Sequence, residues 1–425
     1  MDTGSVATGA AKRTGRIFLG WKIVAGAMVL QTLASALFNQ AYGVYATFWM
    51  AEFGWSSTTI ALAYSLHRTE SALLGPPHGW LLQRFSPRAV VLVGVVMLGA
   101  GFIWLAFVPG LAQFIGAFLV MAVGASLAGM LSLATVLVNW FDRHRAKAMS
   151  LIATGMSVGG LVIPLVTIAM VQYGWRGVAL ASGVLVLLIG VPISRLMHRE
   201  PEQFGLLPDG DTSGDGDKRR GTPFVRPSLT THEALRTNAF WLLSLGHTSG
   251  VMIVSAISVH FVIYAQTRLA MSVTLAASLL TLMTVMVMLG QLIGGFYGDR
   301  VQKRILAGIG MLGHAAAVAI LAFADSTTAV VIAALLHGLA WGVRGPLMSA
   351  MRADYFGRAS FAMIMGASSL IVTLGSVSGP LVAGILVDTT GNYSLAFLIL
   401  AVGSVGGAAA FFALRRPPSY SEASQ

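Results

Sequence analysis

Gly79-Trp-Leu-Leu-Gln-Arg-Phe-Ser-Pro-Arg88 and Gly295-Phe-Tyr-Gly-Asp-Arg-Val-Gln-Lys-Arg304 are two versions of one loop in a chain of 425 residues. Gly79, Gln83, Arg84 and Arg88 fall on Gly295, Asp299, Arg300 and Arg304 at a constant offset of 216. A second pair, Trp140-Phe-Asp-Arg143 and Tyr355-Phe-Gly-Arg358, follows at an offset of 215. Two matches in register mark an internal duplication. In a membrane protein, a duplicated helical unit points to a substrate site between its copies, near mid-membrane.

Apolar stretches of about 20 residues or more flank both loops, each long enough to cross a ~30 Å hydrocarbon core as a helix. The first six are Gly20–Phe48, Thr58–Leu82, Ala89–Val108, Ala112–Asn139, Ala148–Gln172 and Gly177–His198. The second six are Ala239–Gln266, Val273–Tyr297, Ile305–Ala324, Ala329–Arg352, Ala362–Val387 and Leu395–Leu414. Between the two sets, Pro-Asp-Gly at 208–210 and Thr-Ser-Gly-Asp-Gly-Asp-Lys-Arg-Arg at 212–220 read as a flexible linker. The expected division is a tail over 1–19, a six-helix bundle over 20–198, the linker over 199–236, a second bundle over 237–414 and a tail over 415–425.

Composition agrees with this division. Residues of the AVILMFWYC set make up 56% of the chain and charged residues only 10%, against about 25% charged in a soluble domain. Cysteine is absent, which excludes disulfides, thiolate chemistry and Cys-ligated metal. The net charge of +11 does not read as a nucleic-acid footprint, because the basic residues sit in short clusters between apolar runs. With a cytoplasmic N-terminus, only Arg176 and Arg268 fall on the far side and Arg68 and Arg344 within spans, leaving 23 cytoplasmic. That asymmetry predicts a multi-pass protein of the cell inner membrane with both termini cytoplasmic.

The paired loops resemble the Gly-x-x-x-Asp-Arg-x-x-x-Arg signature of the major facilitator superfamily of secondary transporters. The resemblance implies an all-α integral membrane fold, with twelve transmembrane helices in two pseudo-symmetric six-helix bundles. It also implies gating roles for Gln83, Arg84, Arg88, Asp299, Arg300 and Arg304, the acidic residue locking one conformation against a neighbouring helix end. The first copy carries Gln83 there, which can hydrogen-bond but supplies no charge. Within the superfamily, Trp140-Phe-Asp-Arg-His-Arg-Ala-Lys-Ala-Met-Ser-Leu-Ile-Ala-Thr-Gly-Met-Ser-Val-Gly159 is similar to monocarboxylate-transporter-like and oxalate/formate-antiporter-like members. Those members carry a cation in the eighth helix, whereas residues 274–297 hold no charge, so lactate or oxalate recognition does not transfer directly.

Ionisable residues inside spans cost several kcal/mol unless paired or hydrated, so they are the default functional candidates. Arg344 lies eight residues, or ~12 Å, before Arg352 at the expected cytoplasmic end. His337, Trp341, Arg344 and Met348 share one helical face. A guanidinium beside an indole and an imidazole can hold a carboxylate and stack its organic part. In helix two, Glu70 is expected to carry a proton with His67 three residues away, and Arg68 completes that group. Asn39, Tyr42 and Tyr45 of helix one, with Asn39 and Tyr42 on one face, are expected to line the substrate cavity together with His260. His247 and His260 lie too far around their helix to form a local metal pair, and His314 has no polar sequence neighbour. Gly155 with Gly159, and Gly375 with Gly379, are expected to be close-packing surfaces on which helices rock.

These residues predict a proton-coupled transporter of a small organic anion, a monocarboxylate first, working as a monomer in membrane lipid by rocking of its two halves. The alternatives are proton-driven efflux of an amphipathic compound, or a transport-like sensor. No cofactor or metal is expected. The sequence contains no nucleophile–base cluster, metal-ligand spacing or phosphate loop, so it does not read as an enzyme.

Overall fold

The computed structural model describes residues 18–56, 59, 63, 73–211 and 229–415, and every regular element among them is a helix. The chain opens with α1 (Leu19–Ala34), a π-helical turn (Ser35–Asn39) and α2 (Tyr42–Phe53). Then come α3 (Gly75–Arg84), α4 (Pro87–Ala106), α5 (Leu111–Leu127), α6 (Met130–Trp140), α7 (Arg145–Leu161) and α8 (Ile163–Ser194). After the linker follow α9 (Thr231–Leu235), α10 (Asn238–Leu269), α11 (Val273–Gly298), α12 (Lys303–Phe323), α13 (Thr327–Phe356), α14 (Phe361–Thr390) and α15 (Ser394–Phe412).

Short polar residues start several of these helices. Ser86, Thr237, Ser272 and Ser326 each accept the backbone N–H three residues on, from Ala89, Phe240, Leu275 and Ala329. Each side chain thereby satisfies one of the donors that a helix N-terminus leaves without an intrahelical partner. Glycine ends others, with Gly54 and Gly391 in the left-handed region after α2 and α14. Gly174 (φ 75°, ψ 152°) turns the chain inside α8, so α7 and the first part of α8 form one expected span and the rest of α8 the next. Ten segments among the described residues are long and apolar enough to cross a membrane. With the described end of Thr58–Leu82 as α3 and the span divided at Leu161, the architecture is the twelve-span, all-α arrangement in two pseudo-symmetric halves.

Close approach through small residues holds each half together. Gly155 and Gly159 of α7 lie against the Met28 carbonyl and against the Ser35 side chain and Ala36 backbone N. Gly375 and Gly379 of α14 lie against the Thr248 and Met252 carbonyls of α10. Both pairs are packing surfaces, but they bind helices within one half. The surfaces where the halves meet use other glycines: Gly75 and Gly79 of α3 against Gly366 and Ala362 of α14, and Gly295 of α11 against Ser150 of α7.

The linker is more ordered than its composition indicates. Residues 199–211 fold onto the α6–α7 loop, where the Asp209 carboxylate accepts the backbone N–H groups of Asp142, Arg143 and His144 at 3.1, 2.8 and 3.3 Å. Three consecutive donors converging on one anion explain why a Pro-Asp-Gly sequence docks rather than drifts. The basic run at 212–220 lies outside the described residues. The described chain continues at Leu229, whose N–H donates to the Phe356 carbonyl, and at the Thr230–Glu233 capping box that begins α9.

Candidate functional site

The deepest polar cluster lies among α10, α12, α13 and α14. Arg344 of α13 is 1% exposed, and its Nε and Nη1 have no hydrogen-bond partner among the described residues. Its guanidinium lies directly against Gly250 of α10, where a Cβ would come within 2.5 Å of Cζ. Its stem passes Gly310 of α12. The two glycines leave room for the side chain, but no described ion pair includes it.

Arg352, two turns along α13, has opposite circumstances. It donates to the Met348 carbonyl at 3.1 Å and to Ser368 Oγ of α14 at 2.5 Å, and its Nη2 lies 3.2 Å from His247 Nδ1. Ser368 in turn meets Ser244 at 2.8 Å. One guanidinium is engaged and the other is open. The sequence marked Arg352 only as a span end, because its partners come from helices more than a hundred residues away or across a loop.

The remaining expected residues divide between this cluster and other places. His337 is buried, with its Nδ1 3.2 Å from His314 Nδ1 of α12. Trp341 is 38% exposed, at the edge of the face that buries His337 and Arg344. Beside it, a Cβ on Gly345 would meet only the Trp341 ring within 4 Å. His260 is held at both ring nitrogens, by Tyr393 Oη at 3.1 Å and the Pro380 carbonyl at 3.0 Å. The carbonyl can only accept, so Nε2 carries the proton and Nδ1 accepts from the tyrosine. That pins His260 to α14 and the start of α15.

Helix one departs from the expected geometry. Asn39 ends the π-helical turn exposed, while Tyr42 and Tyr45 are buried. The shared face expected for Asn39 and Tyr42 assumed a continuous 3.6-residue repeat, and the π turn and the break at 40–41 shift that register. Tyr45 stacks on Trp49 at 5.3 Å, and Tyr42 meets Trp49 and Phe118 at 5.6 and 5.2 Å, inside an aromatic cluster with Phe114. The tyrosines thus pack within the first half. Glu70, His67 and Arg68 lie outside the described residues.

At the linker end, the duplicated loops act unequally. Asp299, which caps the end of α11, accepts the N–H groups of Ala146 and Lys147 at 2.8 and 2.9 Å, the first turn of α7 in the other half. Burial pushes its carboxyl above the ordinary aspartate value, with the two backbone hydrogen bonds opposing that shift. Asp354 pairs with Arg145 of α7 and, at 2.9 Å, with Lys303. Deeper between the halves, Ser157 Oγ donates to Gln291 Oε1 at 3.1 Å. The corresponding Gln83 is exposed, and the Ser360 side chain at the N-cap of α14 makes no capping bond. Arg84 and Arg88 are exposed, Arg300 lies over the Phe296 ring at 3.8 Å, and Arg304 donates to the Leu414 carbonyl at 2.5 Å. Among the described residues, Asp299 of one loop caps a helix of the other half, while the Gln83 side chain of its twin makes no such bond.

The sequence model of the Major Facilitator Superfamily matches residues 28–288 and 243–425. The bovine (Bos taurus) protein named monocarboxylate transporter 13 is 24% identical over 404 residues, covering 93% of this chain and 89% of that one. Among solved structures, the human organic anion transporter MFSD10 aligns with a TM-score of 0.70 at 16% identity, over 92% of this chain and 99% of that one. A variant of the Escherichia coli fucose:proton symporter FucP aligns at 0.72 and 17%, over 93% and 98%. Full-length agreement in fold, the duplicated loops and the family match together make this chain a member of the Major Facilitator Superfamily, a multi-pass membrane transporter and not an enzyme.

Proposed function

We propose that the chain moves a small organic anion, a monocarboxylate first, across the cytoplasmic membrane in company with a proton, by rocking of its two halves as a monomer. The observation that carries this reading is Arg344. A buried cation without a counter-charge costs several kcal/mol, and among the described residues the protein supplies no carboxylate for it. An incoming carboxylate would satisfy Nε and Nη1 together. Arg352 is already engaged, which leaves one open guanidinium and favours an anion with a single carboxylate. Trp341 would meet the organic part as it approaches. Glu70 with His67 remains the proposed proton carrier, and Arg68 its neighbour.

The names of the bovine monocarboxylate transporter and the human organic anion transporter support the substrate class, and the fucose:proton symporter supports proton coupling. The 23 basic residues that the sequence assigns to one side of the membrane support a cytoplasmic assignment for the linker end. The Asp299 cap and the Arg145–Asp354–Lys303 network would then close the cytoplasmic gate.

Uptake of labelled acetate, pyruvate and lactate by proteoliposomes under an imposed pH gradient tests the reading. Gradient-driven accumulation of at least one acid by the wild type, lost in Arg344→Ala, is expected. Glu70→Gln should lose accumulation but keep exchange. Unchanged accumulation in both variants contradicts the assigned roles.

A further inference from the structure

His314 is 0% exposed and His337 is 2% exposed, and they face each other from α12 and α13 with Nδ1 atoms 3.2 Å apart. Two imidazoles joined in this way need one proton in the bond: one Nδ1 donates and the other accepts. The ring whose Nδ1 donates then has a bare Nε2, and that nitrogen is the pair's free basic position. His314 Nε2 is buried with no protein partner among the described residues. The pair can therefore take up one further proton without breaking its central bond. The product is an imidazolium hydrogen-bonded to an imidazole, a stronger, charge-assisted contact. Geometry makes this pair a store for one proton.

Its surroundings decide when that store fills. Arg344 follows His337 by two turns on α13, and its Cβ passes Gly310, one turn before His314 on α12. The same interface between α12 and α13 therefore carries the pair and the open guanidinium. Arg352 of α13 and His247 of α10 are the other basic groups facing this region. Between Val273 and Gly298, α11 offers Tyr297 alone, near its far end, and between Ser394 and Phe412 α15 offers no titratable side chain. Among the described residues no carboxylate enters the cluster. A second positive charge beside Arg344 is repelled while that guanidinium stands alone. An anion seated on Arg344 cancels the repulsion, and anion and proton then enter as a neutral couple.

We propose that the His314–His337 pair is a proton-binding site, additional to Glu70 and linked to anion occupancy at Arg344, so that the substrate's carboxylate and a proton are held in the same half of the protein. The proposal rests on the reading of Arg344 as the anion's seat. Loading adds one proton to a free imidazole nitrogen, and unloading returns it to solvent when the anion leaves; no other bond forms or breaks. This site lies in the half opposite Glu70 and is separable from it by mutation.

The test uses the full chain in proteoliposomes, with labelled acetate, pyruvate and lactate as probes, read in two modes. One mode is accumulation driven by a pH gradient; the other is exchange at equal pH on both sides, measured from pH 5.5 to 8. Asn carries a polar atom close to the Nδ1 position, so His314→Asn and His337→Asn keep a hydrogen bond between the two helices but leave no imidazole pair to share a proton. We expect each to lose accumulation at least tenfold and to flatten the pH profile of exchange, with His314→Asn keeping exchange within about threefold of wild type. Thermal unfolding in detergent identifies any variant that fails to fold. In that case the other single variant, together with the corresponding Gln substitution, provides the reading.

Accumulation and a wild-type pH profile retained in folded His variants overturn the proposal while leaving Arg344's role intact, provided Arg344→Ala abolishes both modes. A parallel loss of both modes in the His variants, with no change in pH profile, indicates a structural contact and also overturns it. Both modes retained in Arg344→Ala overturn the reading of the anion seat, and this inference falls with it.

Discussion

Asp299 and Lys147 are joined across the two halves: the aspartate's Oδ2 accepts the lysine's backbone N–H at 2.9 Å while its Oδ1 takes that of Ala146. A side chain whose two oxygens accept the N–H groups of a helix N-terminus stabilises through those hydrogen bonds, worth about 1–2 kcal/mol. Asp299→Asn should lower the closed-to-open ratio at the linker end roughly five- to thirtyfold. The chain has no cysteine, so spin labels at Ser86→Cys and Gln302→Cys report that separation without background. A longer-distance population must grow in the variant. An unchanged distance distribution refutes the role of the cap.

Gln83→Asp should act in the opposite sense. Gly79 packs on Ala362, as Gly295 packs on the first turns of α7, so a carboxylate at position 83 stands one turn closer to the start of α14, where the Ser360 side chain makes no capping bond. The same spin labels should record a larger closed fraction. A closed fraction equal to or below wild type would mean that the two loops are not functional equivalents.

Acid should favour closure at this latch. Asp299's carboxyl is raised above the ordinary 3.8, first by burial, so the closed form holds its proton to higher pH than an open form with a solvated carboxyl. The proton-linked stabilisation of the closed form is full below 3.8 and lost as pH rises through the raised value. The spin-label closed fraction should therefore step upward on acidification through that window, and Asp299→Asn should remove the step. A step of opposite sign in the wild type contradicts the assignment.

Gly250→Ala would place a methyl group 2.5 Å from Arg344 Cζ and 2.7 Å from Nη2. The guanidinium must move, while the backbone of α10 stays helical. Transport of the probe acids should fall at least tenfold, about 1.4 kcal/mol, without loss of the folded state by thermal unfolding. Wild-type transport in this variant would show that the position of Arg344 is unimportant.

Ala270 ends α10 at φ 51°, a left-handed conformation that costs an L-residue roughly 1–2 kcal/mol. Ala270→Gly should relieve about 1 kcal/mol of that strain and raise the unfolding temperature of the detergent-solubilised protein. A lowered temperature would refute the strain.

The parts of this architecture that were legible in the sequence are those that follow from local physics or from the repeat. Twenty apolar residues cross a membrane whatever surrounds them, so the ends of α4, α10, α12, α13 and α15 fall within a few residues of expectation. Asp299 was legible because its loop occurs twice, and the same repeat showed that Gln83 supplies no charge at the matching position. Arg344 announced itself as a charge among apolar neighbours. Its freedom from partners required the packing of three helices. Asn39 and Tyr42 were misplaced because a π turn between them breaks the period on which face arguments depend. His314 looked isolated in Gly313-His-Ala-Ala-Ala, since its partner arrives from the next helix. Asp209 looked like linker because the donors it binds belong to a loop 65 to 67 residues earlier.

The central claim is that Arg344 seats the transported carboxylate, and equilibrium binding tests it without the complications of turnover. Labelled acetate, pyruvate and lactate are titrated against purified wild type, Arg344→Lys and Arg344→Ala, each confirmed folded by thermal unfolding. At least one acid should bind the wild type saturably, more weakly to Arg344→Lys, which loses the bidentate geometry, and undetectably to Arg344→Ala. Equal affinity of that acid for wild type and a folded Arg344→Ala would contradict the account.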